Sequence, residues 1–152
     1  MNTRIIGMAV AGTAAAVATG VVAKIVRSKR EKKAEAKDTL LHDIKEYLYV
    51  MEDCINNIDP EATIDSLVPI ALRMEKLTLE IARHTSTANV DYIDDSYVHA
   101  VLLQLRIMIN RVYILYKKII DNFHLSDELY ADIIKKDCDR VMEQINAVKN
   151  AL

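Results

Sequence analysis

Between Arg4 and Lys24 the chain runs for nineteen residues, 5–23, without a charge. A helix rises about 1.5 Å per residue, so this stretch covers roughly 28 Å, close to the hydrocarbon core of about 30 Å. It predicts an N-terminal single transmembrane helix from which the rest of the chain hangs. Ile25 and Val26 extend the span if Lys24 lays its stem along the apolar surface and keeps its ammonium in water. Ala, Gly and Thr dominate the stretch and are only mildly apolar, so such a helix gains from packing against another.

Its small residues offer a surface for that packing. All three glycines of the protein lie here, and Gly12, Ala16 and Gly20 follow one another at i, i+4 and i+8 on one face. Ala11, Ala15 and Thr19 form a second row beside them. Such rows let two helix backbones approach closely, which is how helices associate where lipid removes the hydrophobic drive. Self-association into a homo-oligomer is therefore expected, although an Ala-rich helix also reaches this spacing by chance. A cleaved signal peptide is the rival reading, with Arg4 as the charged leader, 5–15 as its apolar region and Ala16-Val17-Ala18 as the cleavage site. The apolar run continues past that site to Val26, and a cationic cluster follows at once; both favour an uncleaved anchor.

The cluster also sets orientation. Lys24, Arg27, Lys29, Arg30, Lys32 and Lys33 follow the span, against Arg4 and the amino terminus before it. Positive charge stays cytoplasmic, so the N-terminus is expected outside and the C-terminal bulk in the cytoplasm. The same six residues can contact anionic membrane lipid, at about 1 kcal/mol each near the surface. A topology signal on a solvated helix accounts for them equally well.

Charge divides the chain. Residues 1–37 carry eight Lys or Arg and two Glu, a net of +6, whereas 38–152 carry twelve and twenty, a net of −8. An acidic domain lacks the cations that phosphate contacts need, so no nucleic-acid partner is expected. The chain reads as an anchor over 1–26, a basic juxtamembrane helix or linker over 27–37, and a helical domain over 38–152. With no glycine after Gly20 and two prolines in all, sheets with tight turns are disfavoured.

Apolar residues in that domain recur with alternating spacings of three and four. Leu41, Ile44, Leu48, Met51, Ile55 and Ile58 mark a first helix ending near Ile58. Asp59 and Pro60 then suit the N-cap and first position of a second helix, over about 60–84, with Ile64, Leu67, Ala71, Met74, Thr78 and Ile81 as its stripe. Pro69 inside it removes a backbone hydrogen bond and is expected to kink it or to split off a short N-terminal piece. Residues 85–91 (TSTANVD) read as a loop, after which Asp91, Asp94 or Asp95 can cap a third helix over about 94–122. Residues 123–125 make the next corner, and Ser126 caps a fourth helix whose stripe runs from Tyr130 to Leu152. Matched helices joined by short connections imply an antiparallel up-down-up-down four-helix bundle. The fold class is all-α.

The third helix carries two stripes. Val98, Val101, Leu105, Met108, Val112, Leu115 and Ile119 form one; Ala100, Leu103, Ile107, Asn110 and Ile114 form another on a different face. Arg106, Arg111 and Asn110 argue against a second membrane span. The second stripe is either a protein interface at Leu103, Ile107 and Ile114, with Asn110 fixing register, or a face covered internally by a bent second helix.

Chemistry is sparse. Glu80 with His84, Asp95 with His99 and Asp38 with His42 stand at i+4, not in the Glu-x-x-His form of di-metal bundles, and Asp121 with His124 has i+3 spacing at a corner. Cys54 and Cys138 fall on apolar positions as buried hydrophobes, without metal-ligand spacing. No catalytic set, cofactor motif or small-molecule substrate site emerges. The expectation is a non-enzymatic single-pass membrane protein that presents a cytoplasmic helical bundle for self-assembly or for docking an unknown protein partner. The alternatives are a pore-forming or membrane-remodelling protein built from associated Ala/Gly-rich helices and, less favoured, a metal or haem bundle.

Overall fold

In the computed structural model the protein is all-α. The structure describes residues 3–121 and 127–152, with side chains from Lys24 onward. The helices are α1 (Thr3–Asn56), α2 (Ile64–Asp91), α3 (Ser96–Asp121) and α4 (Asp127–Ala151), with no strand among the described residues. The chain divides into two units, Met1–Leu40 and Leu41–Leu152. The stretch expected to span a membrane is helical, and its side chains, including the Gly12, Ala16 and Gly20 row, lie outside the described residues, as do the corner at 123–125 and the Ser126 cap.

Within the larger unit, the side chains joining neighbouring helices climb one helix as they descend the next. Between α1 and α2, the Tyr47 hydroxyl lies 2.6 Å from His84 Nδ1 and Asp53 pairs with Arg73 at 3.2 Å. Between α2 and α3, Glu75 lies beside Tyr116, and toward the other ends Asn89 lines one groove with Leu102 and Leu103. Between α3 and α4 the Tyr97 hydroxyl donates to the Leu152 carbonyl at 2.8 Å, Gln144 donates to the Gln104 side chain at 2.7 Å, and Arg111 donates to the Arg140 carbonyl at 3.0 Å. Lys149 of α4 pairs with Glu52 of α1, which brings the last helix back to the first. Each adjacent pair is thus antiparallel.

The core follows the apolar periodicity closely. On α3 the whole first stripe is buried, from Val98 to Ile119. On α1, Ile44, Leu48, Met51 and Ile55 are buried with Cys54 beside them and Leu41 stays half-buried, while Ile58 is buried just past the end of the helix. On α2, Leu67, Ala71, Met74 and Ile81 are buried, and Leu77 joins them in place of the half-buried Thr78.

Two local expectations fail for identifiable reasons, and of the two outcomes expected at Pro69 the split does not occur. Residues 85–91 are not a loop: α2 runs through them to Asp91. Thr85 and Ala88 are buried and extend the Ile81 stripe to Tyr92, so core packing outweighs the low helix propensity of the segment. Thr85, Ser86 and Thr87 each donate to the carbonyl four residues back, which occupies the hydroxyls without forming a turn, at a slight cost to the helix. The connection to α3 is instead the short stretch 92–95, and Asp95 is the cap, its Oδ1 accepting from the Val98 N–H at 3.1 Å.

Asp59 does not cap α2. Its Oδ1 accepts from the Glu61 N–H at 3.0 Å and closes a turn, while α2 begins five residues later at Ile64 with Thr63 in the extended N-cap conformation. Pro69 does not split the helix. It sits in the second turn with its ring exposed, and α2 is a single element from Ile64.

Among the described residues α3 is also the one helix long and apolar enough to cross a membrane. It lies mid-chain, its apolar seam fills the bundle core, and it carries Arg106, Arg111 and Asn110.

Candidate functional site

A helix that packs against one core leaves the opposite face in water. On α3 that outer face is the second stripe. Leu103 is 56% exposed and Ile114 46%, Ala100 and Asn110 are exposed, and Ile107 is half-buried. The structure therefore brings Leu103, Ile107, Asn110 and Ile114 onto one accessible face. Internal coverage of this stripe by a bent α2 is overturned.

The flanks of the stripe are cationic. From Ser96 to Ile120 there is no Asp or Glu, while Arg106, Arg111, Lys117 and Lys118 all lie there. Three of the four are engaged: Arg111 with the Arg140 carbonyl and, at 3.8 Å, Glu143; Lys117 with Asp121 at 3.3 Å; Lys118 with Asp137 at 2.8 Å. Arg106 is exposed and has no ion pair among the described residues. It lines a groove of about 370 Å³ between the end of α2 and the start of α3, together with Asn89, His99, Ala100, Leu102 and Leu103. His99 is tied locally, its Nε2 lying 3.0 Å from the Ile93 carbonyl.

The six basic residues that follow the expected anchor, Lys24, Arg27, Lys29, Arg30, Lys32 and Lys33, are all exposed on α1. At 100° per residue they distribute around the helix and do not form a single stripe.

The sequence reading missed the buried polar residues of α4. Asp137 and Gln144 are buried one heptad apart, and both face α3. Asp137 holds Lys118 at 2.8 Å and Arg140 at 3.5 Å, and Gln144 donates to both the backbone and side-chain oxygens of Gln104. Their seven-residue spacing beside the Cys138, Val141, Ile145 and Val148 stripe was the available signal. Such paired polar groups fix which residues of two helices stand opposite each other.

Among the described residues no three His, Cys, Asp or Glu side chains gather as a metal site. Both cysteines are free and buried. Burial pushes the Cys54 thiol up, and burial together with Asp139 and Asp137 pushes Cys138 up to about 12. Thiolate is the nucleophilic form, so neither cysteine is poised for chemistry. A thiol reagent at pH 8 is expected to leave Cys138 unmodified in the folded chain and to modify it once urea unfolds the protein; mass spectrometry reads both states. Stability should respond in the corresponding window. The folded chain holds the Cys138 proton more tightly than the unfolded chain, whose thiol ionises near 9.0. The contribution is therefore complete below pH 9 and is lost as pH rises toward 12.

Comparison with known protein families, with curated proteins and with solved structures finds no match for this chain.

Proposed function

We propose that this chain is a single-pass membrane protein without enzymatic activity, which holds a cytoplasmic helical bundle at the membrane as a docking and assembly module. In this reading residues 5–23 are the anchor, with the N-terminus outside and the Gly12, Ala16 and Gly20 row as the surface for association between copies. The cluster from Lys24 to Lys33 meets anionic headgroups and fixes the orientation.

The observation that supports the reading most is the outer face of α3. Leu103 and Ile114 are about half exposed or more on a helix whose other stripe is already buried in the core. A contiguous apolar face that the monomer does not use is what interaction surfaces present. Exposed large apolar residues are also unevenly spread. Among the described residues, eight of the twelve (Leu72, Leu79, Val90, Ile93, Tyr97, Leu103, Tyr113 and Ile114) belong to α2, α3 and their connection, and only Leu129 belongs to α4.

Alkaline carbonate extraction of expressing cells tests the anchor. The full chain should remain in the membrane pellet and a 28–152 fragment should leave it. A full chain released into the supernatant would overturn the membrane assignment. Protease treatment of right-side-out vesicles should then leave the bundle intact, since the reading places it on the inner side.

A further inference from the structure

We propose that the α3–α4 seam carries a register device, a ladder of polar contacts that holds α4 to one position along α3 and supplies uniqueness to the bundle in place of stability. The ladder goes beyond the docking reading and does not depend on it. Tyr97, Gln104, Arg111 and Lys118 stand seven residues apart along α3, one in each heptad. All four reach α4. The Tyr97 hydroxyl donates to the Leu152 carbonyl at 2.8 Å, and Gln144 donates to the Gln104 side chain at 2.7 Å. Arg111 meets the Arg140 carbonyl at 3.0 Å and Glu143 at 3.8 Å, and Lys118 meets Asp137 at 2.8 Å. A seven-residue step returns to nearly the same side of a helix, so the four rungs share one flank of α3.

The apolar seam beside them does not single out a register. On α3 its buried residues repeat by sevens, as Val98, Leu105, Val112 and Ile119 and as Val101, Met108 and Leu115. On α4 Ile134, Val141 and Val148 repeat likewise, as do Cys138 and Ile145. A slip of one heptad, about 10 Å along the axis, puts one apolar side chain in the place of another. Backbone carbonyls, such as those that accept from Tyr97 and Arg111, are also met in any register. The side-chain pairs are not. Gln104 with Gln144 joins two amides, whereas Arg111 with Glu143 and Lys118 with Asp137 join opposite charges. A slip in one direction carries Asp137 beyond Asp121, where α3 ends and no rung cation stands opposite. The reverse slip takes Lys118 from its carboxylate, leaves Asp137 to Arg111 and parts the two amides. Mismatch is costly because Asp137 and Gln144 are buried, two of the three buried polar side chains among the described residues. Correctly matched, such pairs add little over apolar residues of the same size. The ladder therefore penalises wrong registers far more than it strengthens the right one.

The test uses the full-length chain with one spin label on α3 at Asn110→Cys and one on α4 at Asn146→Cys, both exposed positions, the native cysteines being buried. Dilution with unlabelled chain restricts pulsed dipolar spectroscopy to distances within one copy. The labelled chain should give a single distance. Gln104→Leu, Lys118→Met, Asp137→Leu and Gln144→Leu, made together, should leave the urea midpoint unchanged or raise it. They should also add a second distance, displaced as a slip of about 10 Å requires. A single distance equal to the parent's would overturn the inference and assign the register to the apolar seam and the chain connection. Several distances in the parent itself would overturn it as well. If the fourfold variant does not fold, Gln104→Leu with Gln144→Leu decides, since it removes one rung without touching a charge. A second distance there supports the ladder, and a single one overturns it.

Discussion

Lys118→Met should destabilise the bundle by about 2–4 kcal/mol, measured by urea unfolding, and the double substitution Lys118→Met with Asp137→Leu should recover most of that loss. The Asp137 side chain is only 4% exposed, and the Lys118 ammonium stands 2.8 Å from its Oδ2. Removing the lysine leaves a desolvated carboxylate whose remaining cation is Arg140 at 3.5 Å, on a side chain that is mostly in water. The uncompensated charge costs far more than the pair itself contributes, because an ion pair that replaces two hydrated ions is nearly neutral in free energy while an orphaned buried charge is not. Water reaches the Lys118 side of the pair, at 36% exposure, which keeps the expected loss near the lower part of the usual range. Replacing both residues by apolar groups removes the orphan. If the double variant proved as unstable as the single one, the cause would be lost packing at the α3–α4 seam and not electrostatics.

Leu105→Ala is expected to cost about 2–5 kcal/mol and Leu103→Ala less than about 0.5 kcal/mol, although the two leucines lie two positions apart on one helix. Leu105 is 1% exposed at the centre of the core, where truncation leaves a cavity that close-packed neighbours cannot fill. Leu103 is 56% exposed and loses little surface on folding. Paired denaturation curves check the assignment of faces directly. Similar losses at both positions would mean that the outer stripe is covered in solution, as it would be by a tightly bound second chain.

The helices were legible because three-four periodicity is imposed by the geometry that buries them. The α3 seam could be named from the sequence residue by residue, and each of its members is buried. The edges were less legible, because local chemistry at helix ends points in several directions at once. Asp59 followed by Pro60 reads as a cap, yet Asp59 Oδ1 bonds the Glu61 amide in a turn and α2 waits until Ile64. The polar run 85–91 reads as a loop because Thr, Ser and Asn favour one in isolation. Thr85 and Ala88 belong to a stripe that packing prolongs, and tertiary contact outweighs propensity there. The candidate face was legible as a second stripe, but whether it was covered depended on how α2 passes over α3. The polar Asp137 and Gln144 interrupt no apolar pattern; their seven-residue spacing beside the stripe hints at burial, and their α3 partners establish it.

The hydroxyl bonds that carry α2 through its last turns have a consequence for how the candidate groove behaves. A side chain that donates to the carbonyl four residues back weakens the backbone bond there and loosens the helix slightly. Thr85, Ser86 and Thr87 do this in succession, just before Asn89, which lines the groove. Beyond them Val90 and Ile93 are 75% and 70% exposed, while Ala88 and Tyr92, at 3% and 5%, pin the inner side of the same segment to the core. One wall of the groove, α3, is anchored by the core along its length; the other, the end of α2, is held by its inner side while its outer turn carries the weakened bonds. The groove thus keeps a fixed floor, and what give it has lies on the solvent side of its α2 rim.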